Sequence, residues 1–346
     1  MNDAESVYNE AMALEESPAQ GALLERAIQL ADAEPNLDVQ IDARLEYIRC
    51  VTFLGHIERG LVALSWVSNH FDKHPDDLNW YREYRHLWYF KWACCNAPSF
   101  PNIPRDRIED MLNDYARRLG EGEARAIAYV RGKVELEMGD KGGLARSRIG
   151  FERHPSSMQA DCPACETDFH VEAHVMLGEF EDALKKAEPI LSGHQSCAEI
   201  PHFTYGHLLE VWRANGDEKA AEAGVKKAVR LTRKQGDWVH IHAKILLHYA
   251  LTDRVRSGLP FLERTIGFAL DCKKITERVH YADAAARMLA RAKPSRTMRL
   301  SRFANVPLDD QPAKDLLARF QAEASTFAAA LDARNGNDYY ASLIKT

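Results

Sequence analysis

Four glycines constrain this chain more than any other feature. Gly55, Gly139, Gly178 and Gly216 each lie in a short polar turn between two apolar patterns of helical period. Leu54-Gly55-His56-Ile57-Glu58 is followed by Leu61, Leu64 and Val67, and Met138-Gly139-Asp140-Lys141 by Leu144 and Ile149. Gly178 is followed by Leu184, Ala187, Ile190 and Leu191, and Gly216 by Ala221, Val225, Ala228 and Val229. A glycine at such a point ends one helix in a left-handed conformation that other residues resist, so the chain reverses within a few residues. The last two gaps are 39 and 38 residues, and the first, 84, is close to two units of 42. A period in this range means stacked helical hairpins, none of which can bury its apolar face alone.

β-signals are scarce, with no long alternating apolar run and no Asn-Gly hairpin flanked by strands. Helices are predicted at 3–15, 18–33, 37–54, 57–72, 78–96, 104–118, 121–138, 141–153, 163–177, 180–192, 200–214, 217–235, 237–253, 258–271, 275–292 and 311–334. The expected architecture is all-α, an α–α superhelix of stacked antiparallel hairpins. The solenoid would occupy 1–292 and a loop 293–310. Residues 311–346 would form a capping helix, terminated at Asn335-Gly336-Asn337-Asp338, and a tail.

The segment Gly178-Glu179-Phe180-Glu181-Asp182-Ala183, with Ala187 and Ile190 after it, resembles the turn and second helix of a tetratricopeptide repeat. In that family a small residue lets the two helices approach closely, and Ala183, Ala221 and Gly60 match that position. The resemblance covers about four units. It departs from the family pattern in unit length, since the usual repeat has about 34 residues. The closing proline is matched only loosely, at Pro35 and Pro75. The resemblance implies a scaffold that binds a peptide or helix of a partner protein in a concave groove lined by first helices.

Composition excludes several alternatives. The 346 residues include 45 basic and 51 acidic side chains, a net charge of −6 that gives no general pull toward nucleic acid or an anionic membrane. No apolar run approaches the roughly 18 residues of a membrane helix. The acidic start, MNDAESVYNEAMALEE, lacks the parts of a signal peptide, so the expected location is cytoplasmic. An odd count of seven cysteines argues against a disulfide framework.

The most specific chemical feature is Asp161-Cys162-Pro163-Ala164-Cys165, with Cys197-Ala198-Glu199-Ile200-Pro201-His202 beginning 32 residues after Cys165. Both cysteines of a C-x-x-C can reach one ion. First helices of successive hairpins run side by side, so their N-terminal ends should be neighbours. Cys162, Cys165, Cys197 and His202 would then form a closed Cys₃His shell of the kind that holds structural zinc. His194 and His170 are substitutes for the fourth ligand. The whole segment resembles a group of bacterial repeat proteins with this cysteine arrangement. Buried free thiols and a redox pair are the alternatives. So is a regulatory sensor whose cluster responds to zinc or oxidants.

Asn79–Trp92 is aromatic and basic. Trp80, Tyr84, Trp88 and Trp92 recur every four residues on one helical stripe, interleaved with Arg82, Arg85 and Lys91. Aromatics and arginines dominate binding hot spots, so Trp80, Tyr84, Arg85, Trp88, Lys91 and Trp92 are the candidate partner-binding residues. The competing reading makes all of them core. His240 and His242, two apart on a helix, point in different directions and are poor co-ligands. There is no nucleophile elbow, no H-E-x-x-H, and no phosphate loop at Asp140-Lys141-Gly142-Gly143. The chain is therefore expected to bind and not to catalyse.

Overall fold

In the computed structural model, residues 3–34, 36–233, 236, 238–301 and 308–344 are described. Pro35, Asp237 and residues 302–307 of the expected loop lie outside them, as do the ends of the predicted helices and tail at 234–235 and 345–346. Among the described residues the chain forms seventeen α-helices and one two-residue strand pair. The first six helices are α1 (Ala4–Met12), α2 (Pro18–Ala33), α3 (Leu37–Phe53), α4 (Ile57–Lys73), α5 (Trp80–Asn96) and α6 (Arg105–Leu119). Then come α7 (Ala124–Met138), α8 (Lys141–Glu152), α9 (Pro163–Leu177), α10 (Phe180–Leu191), α11 (His202–Ala214) and α12 (Glu218–Thr232). The last are α13 (Val239–Leu251), α14 (Val255–Asp271), α15 (Ile275–Leu289), α16 (Ala313–Asn335) and α17 (Tyr339–Leu343). The strands, β1 (Thr297–Met298) and β2 (Gln311–Pro312), pair antiparallel and fasten the start of α16.

The turn glycines behave as the spacing predicts. Gly55, Gly139, Gly178 and Gly216 have φ between 69° and 78°. The series also continues where no glycine marked it. Asp253, with φ 54°, turns the chain from α13 into α14 and follows Gly216 by 37 residues. Asparagine and aspartate tolerate this conformation better than other non-glycine residues. The missing member of the first gap is a different connection. The segment from α5 to α6 contains a 3₁₀ turn, Ala97–Ser99, and three prolines, Pro98, Pro101 and Pro104.

Successive helices pair as hairpins, and each odd-numbered helix also contacts the odd-numbered helices before and after it. The result is two layers. Small residues permit the close approaches. Gly60 on α4 faces Val51 and Thr52 on α3, and a Cβ at Gly132 on α7 would lie 2.5 Å from Phe169 on α9. Ala183 and Ala221 are buried at the matching hairpin positions. Two large apolar clusters result, one drawn from residues 11–173 and one from 171–324, and they meet on α9.

The C-terminal segment does more than cover the last hairpin. α16 packs on α15, and its end reaches back to the middle of the chain. Arg334 donates to the carbonyl oxygens of Pro98 at 2.5 Å, Phe100 at 3.2 Å and Ile103 at 3.1 Å. Asn335 and Asn337 donate to Met138 O, and the Tyr340 hydroxyl to Glu137 O at 2.6 Å. Thr276 on α15 donates to Ser99. Tyr339 lies against Gly139, where any Cβ would clash with its ring. The layer of odd-numbered helices from α7 to α15 is thereby closed on itself through Ala97–Ser99 and α17.

Replacing Arg334 with Met keeps the aliphatic stem and removes the donor to the Pro98 and Ile103 carbonyls, while Phe100 O keeps its bond from the Ile103 N–H. Each buried acceptor left unsatisfied costs roughly 1–3 kcal/mol. We expect thermal unfolding of Arg334→Met several degrees below the wild type, measured by circular dichroism, with helix content unchanged.

Candidate metal centre and inner polar face

α9 starts at Pro163, and Cys162 is its N-cap residue, its Sγ accepting from the Cys165 N–H at 3.5 Å. Proline at the first helical position and a capping side chain before it are what fix this start locally. Cys197 lies in the turn before α11, where its N–H donates to Ile200 O at 3.0 Å. α9 and α11 pack side by side, so the two segments meet. The Cys165 and Cys197 sulfurs are 3.5 Å apart, and the three sulfurs of Cys162, Cys165 and Cys197 all lie within 4.8 Å of one another. Three cysteines are thus close enough to bind one metal ion. Burial and the two neighbouring thiols push the Cys165 thiol well above its ordinary range. Ala164, Ile190 and Ile200 form an apolar floor beneath Cys165 and Cys197, while Cys162 is exposed.

The histidines expected as fourth ligand are outside this group. The His202 ring packs on Trp238 with centroids 4.8 Å apart. Its Nδ1 is buried without a hydrogen-bond partner among the described residues. His194 is exposed and bonded to Ser192. His170 is buried against Phe151, and burial pulls its imidazole down to about 3. A second convergence, His174 with Glu179 and Asp182, already holds a cation, because the Arg148 guanidinium lies 3.2 Å from the His174 ring nitrogens and 3.1 Å from Glu179.

The aromatic helix is α5, and its six candidate residues divide by environment. Trp80 is 76% exposed. Tyr84 and Trp88 stack at 5.5 Å and Trp88 meets Trp92 at 6.1 Å, all three half-buried. Arg85 and Lys91 are not available at a surface patch. Arg85 is buried between Asp42 at 3.0 Å and Glu46 at 2.7 Å. Lys91, 1% exposed, lies over the Trp88 ring and donates to Gln159 O at 3.1 Å and Asp161 at 2.8 Å. Since Asp161 precedes Cys162, Lys91 anchors the segment that carries the first thiol. Near the start of α5 a cleft of about 230 Å³ opens beside Tyr8, Met12, Asp42, Tyr81 and Arg82.

A further gathering of ionisable groups was not among the candidate residues. It lies on the odd-numbered helices α7 to α15, where they face one another. Glu172 on α9 is 3.3 Å from Lys133 on α7, 3.4 Å from His207 on α11 and 3.8 Å from Lys244 on α13. Lys244 Nζ lies 2.7 Å from His207 Nδ1, and His207 Nε2 lies 3.4 Å from Asp168. Glu277 on α15 lies 3.4 Å from Lys274 and 3.5 Å from His240. Burial opposes charge on these acids, yet His207, Lys133 and Lys244 hold Glu172 well below the carboxylate range. Lys274 and His240 likewise hold Glu277 at about 2. Burial pushes Glu137 up, with Glu172 and Glu277 adding to it. Lys133, Lys244 and Lys274 keep 30%, 33% and 28% of their side-chain surface open. The signal was present as ionisable pairs four apart on first helices: Lys133 and Glu137, Asp168 and Glu172, His240 and Lys244.

Compared with known proteins, the sequence matches no family model and no curated protein. Among the described residues no helix is long and apolar enough to cross a membrane.

Glu277 gives a pH test of this face. Its folded pKa is depressed, so the unfolded chain binds more protons in that range. Its contribution to stability is complete above about 4.5 and is lost as pH falls toward 2. Denaturant titrations of Glu277→Gln should show a shallower acid-side loss of stability than the wild type between those values. Parallel curves would show that the carboxylate is not held this way.

Proposed function

We propose that the chain is an interaction scaffold of the tetratricopeptide type, an α–α superhelix whose inner face holds a peptide or helix of a partner protein. The observation that carries this reading is the ionisable lining of α7, α9, α11, α13 and α15. A helix stack built only for stability gains little from buried charge, because removing ions from water costs about as much as their pairing returns. Charged groups kept part-open on the facing helices are what recognition of an extended polar chain uses. The partly open lysine amines are the first groups a partner's carboxylates and carbonyls would meet.

The same reading gives the thiol trio a structural part. Zinc suits a set of three thiolates. Held by Cys162, Cys165 and Cys197, it would join the start of α9 to the turn before α11 and stiffen the middle of the stack. The donor set fits such an ion, since three sulfurs converge over an apolar floor and the helix N-terminus at Cys162 favours thiolate charge. The pairing of Arg85 and Lys91 within the chain moves the expected contact surface from the basic side of α5 to the inner lysines.

The reading is tested by selecting peptides from a random library on the intact chain. Peptides so obtained should bind Lys133→Ala/Lys244→Ala at least tenfold more weakly. They should bind a control at the exposed Lys226 of α12 as well as the wild type. Equal binding to the inner-face variant would refute the assignment. For the metal, purified protein should carry about one equivalent of zinc, and a chelator should lower its unfolding temperature.

A further inference from the structure

We infer that the thiol trio is a three-thiolate metal site with an exchangeable fourth position open to solution, which takes a soft donor such as a small thiol, and that His202 is not its fourth ligand. This rests on the reading that the trio holds a metal. It departs from the closed Cys₃His shell that the sequence suggested.

The geometry bears on each alternative ligand. His202 is wedged at the start of α11 in an aromatic cluster. Its own ring packs on Trp238, and the neighbouring Phe203 meets Trp238 at 5.3 Å and His240 at 4.6 Å. Swinging His202 toward the sulfurs would take its ring off the Trp238 indole. His194, exposed beyond the end of α10, is bonded at 2.7 Å to Ser192, and His170 is enclosed against Phe151. No fourth His, Cys, Asp or Glu among the described residues joins the group within 4.8 Å.

The open side is equally defined. Cys165 and Cys197 lie on the apolar floor of Ala164, Ile190 and Ile200, so a fourth donor cannot enter from beneath. Cys162 is exposed, its Sγ accepts from the Cys165 N–H and its carbonyl from the Glu166 N–H, and Asp161 beside it is held by Lys91. An ion seated on the three sulfurs therefore faces solvent on the Cys162 side. Three thiolates favour thiophilic ions, and a further thiolate suits such an ion better than a hard oxygen donor. The positive end of α9 offsets the added negative charge. A site with three protein ligands and a free position can exchange its last ligand, which a closed structural shell cannot.

Cobalt(II) titration of the full chain, kept reduced with a phosphine, tests this. The thiolate-to-cobalt charge-transfer band reads the number of sulfurs, and the d–d bands read the fourth ligand. Addition of 2-mercaptoethanol should raise the charge-transfer intensity by about one third, as three sulfurs become four. His202→Phe, which keeps a ring against Trp238, should bind cobalt within twofold of the wild type, while Cys197→Ser should lose at least tenfold. A spectrum unchanged by the thiol would overturn the inference, as would a tenfold loss in His202→Phe whose unfolding curve matches the wild type. If the wild type binds no cobalt at all, the metal reading itself falls, and this inference with it.

Discussion

A helical hairpin of this kind has more apolar surface than its own two helices can cover. Every other feature of the molecule depends on that constraint. The inner helix of each pair must be covered by the inner helices on both sides, and Gly132 against Phe169 shows how close the approach becomes. A chain assembled this way has neighbours in sequence as neighbours in space and grows without enlarging a single core. The two apolar clusters that meet on α9 follow from this arrangement.

Such a stack leaves two unpaired ends, and here the C-terminal segment deals with one of them in an unexpected way. α16 covers the outer side of α15, then Arg334, Asn335, Asn337 and Tyr340 bind backbone carbonyls between Pro98 and Met138. These are contacts of polar side chains with main-chain acceptors, and Tyr340 adds apolar burial against Val279, Ala328 and Leu331. The ion pairs of the inner face join helices that are neighbours in the layer or one apart: α7 with α9, α9 with α11 and α13, and α13 with α15. The thiol trio occupies a different part of the same stack, where α9 and α11 begin, and is tied to α5 through Lys91.

The parts of this molecule written in short stretches of sequence were legible. The helix at Pro163–Leu177 was predicted with its bounds, because a capping residue, a proline and a terminal glycine all lie within the segment itself. The four turn glycines were read correctly for the same reason. Asp253 was missed, since a positive φ at aspartate is set by the hairpin around it and not by the residue type. The convergence of Cys162, Cys165 and Cys197 was legible because the repeat places the starts of α9 and α11 together. The place of His202 was not, because its ring is held by Trp238, a residue of the next hairpin.

Charge followed the same division. Trp80, Arg85 and Lys91 belong to one aromatic and basic segment, yet one is exposed and two are buried. The difference lies in partners 39 to 70 residues away, Asp42, Glu46 and Asp161. What the sequence by itself determined is the hairpin, its period and the thiol spacing, since these arise from interactions between residues close along the chain. What only the tertiary structure decided is which polar side chains face each other across the stack. That depends on how successive hairpins pack against one another, which is set by contacts between residues far apart along the chain and carried by no single segment.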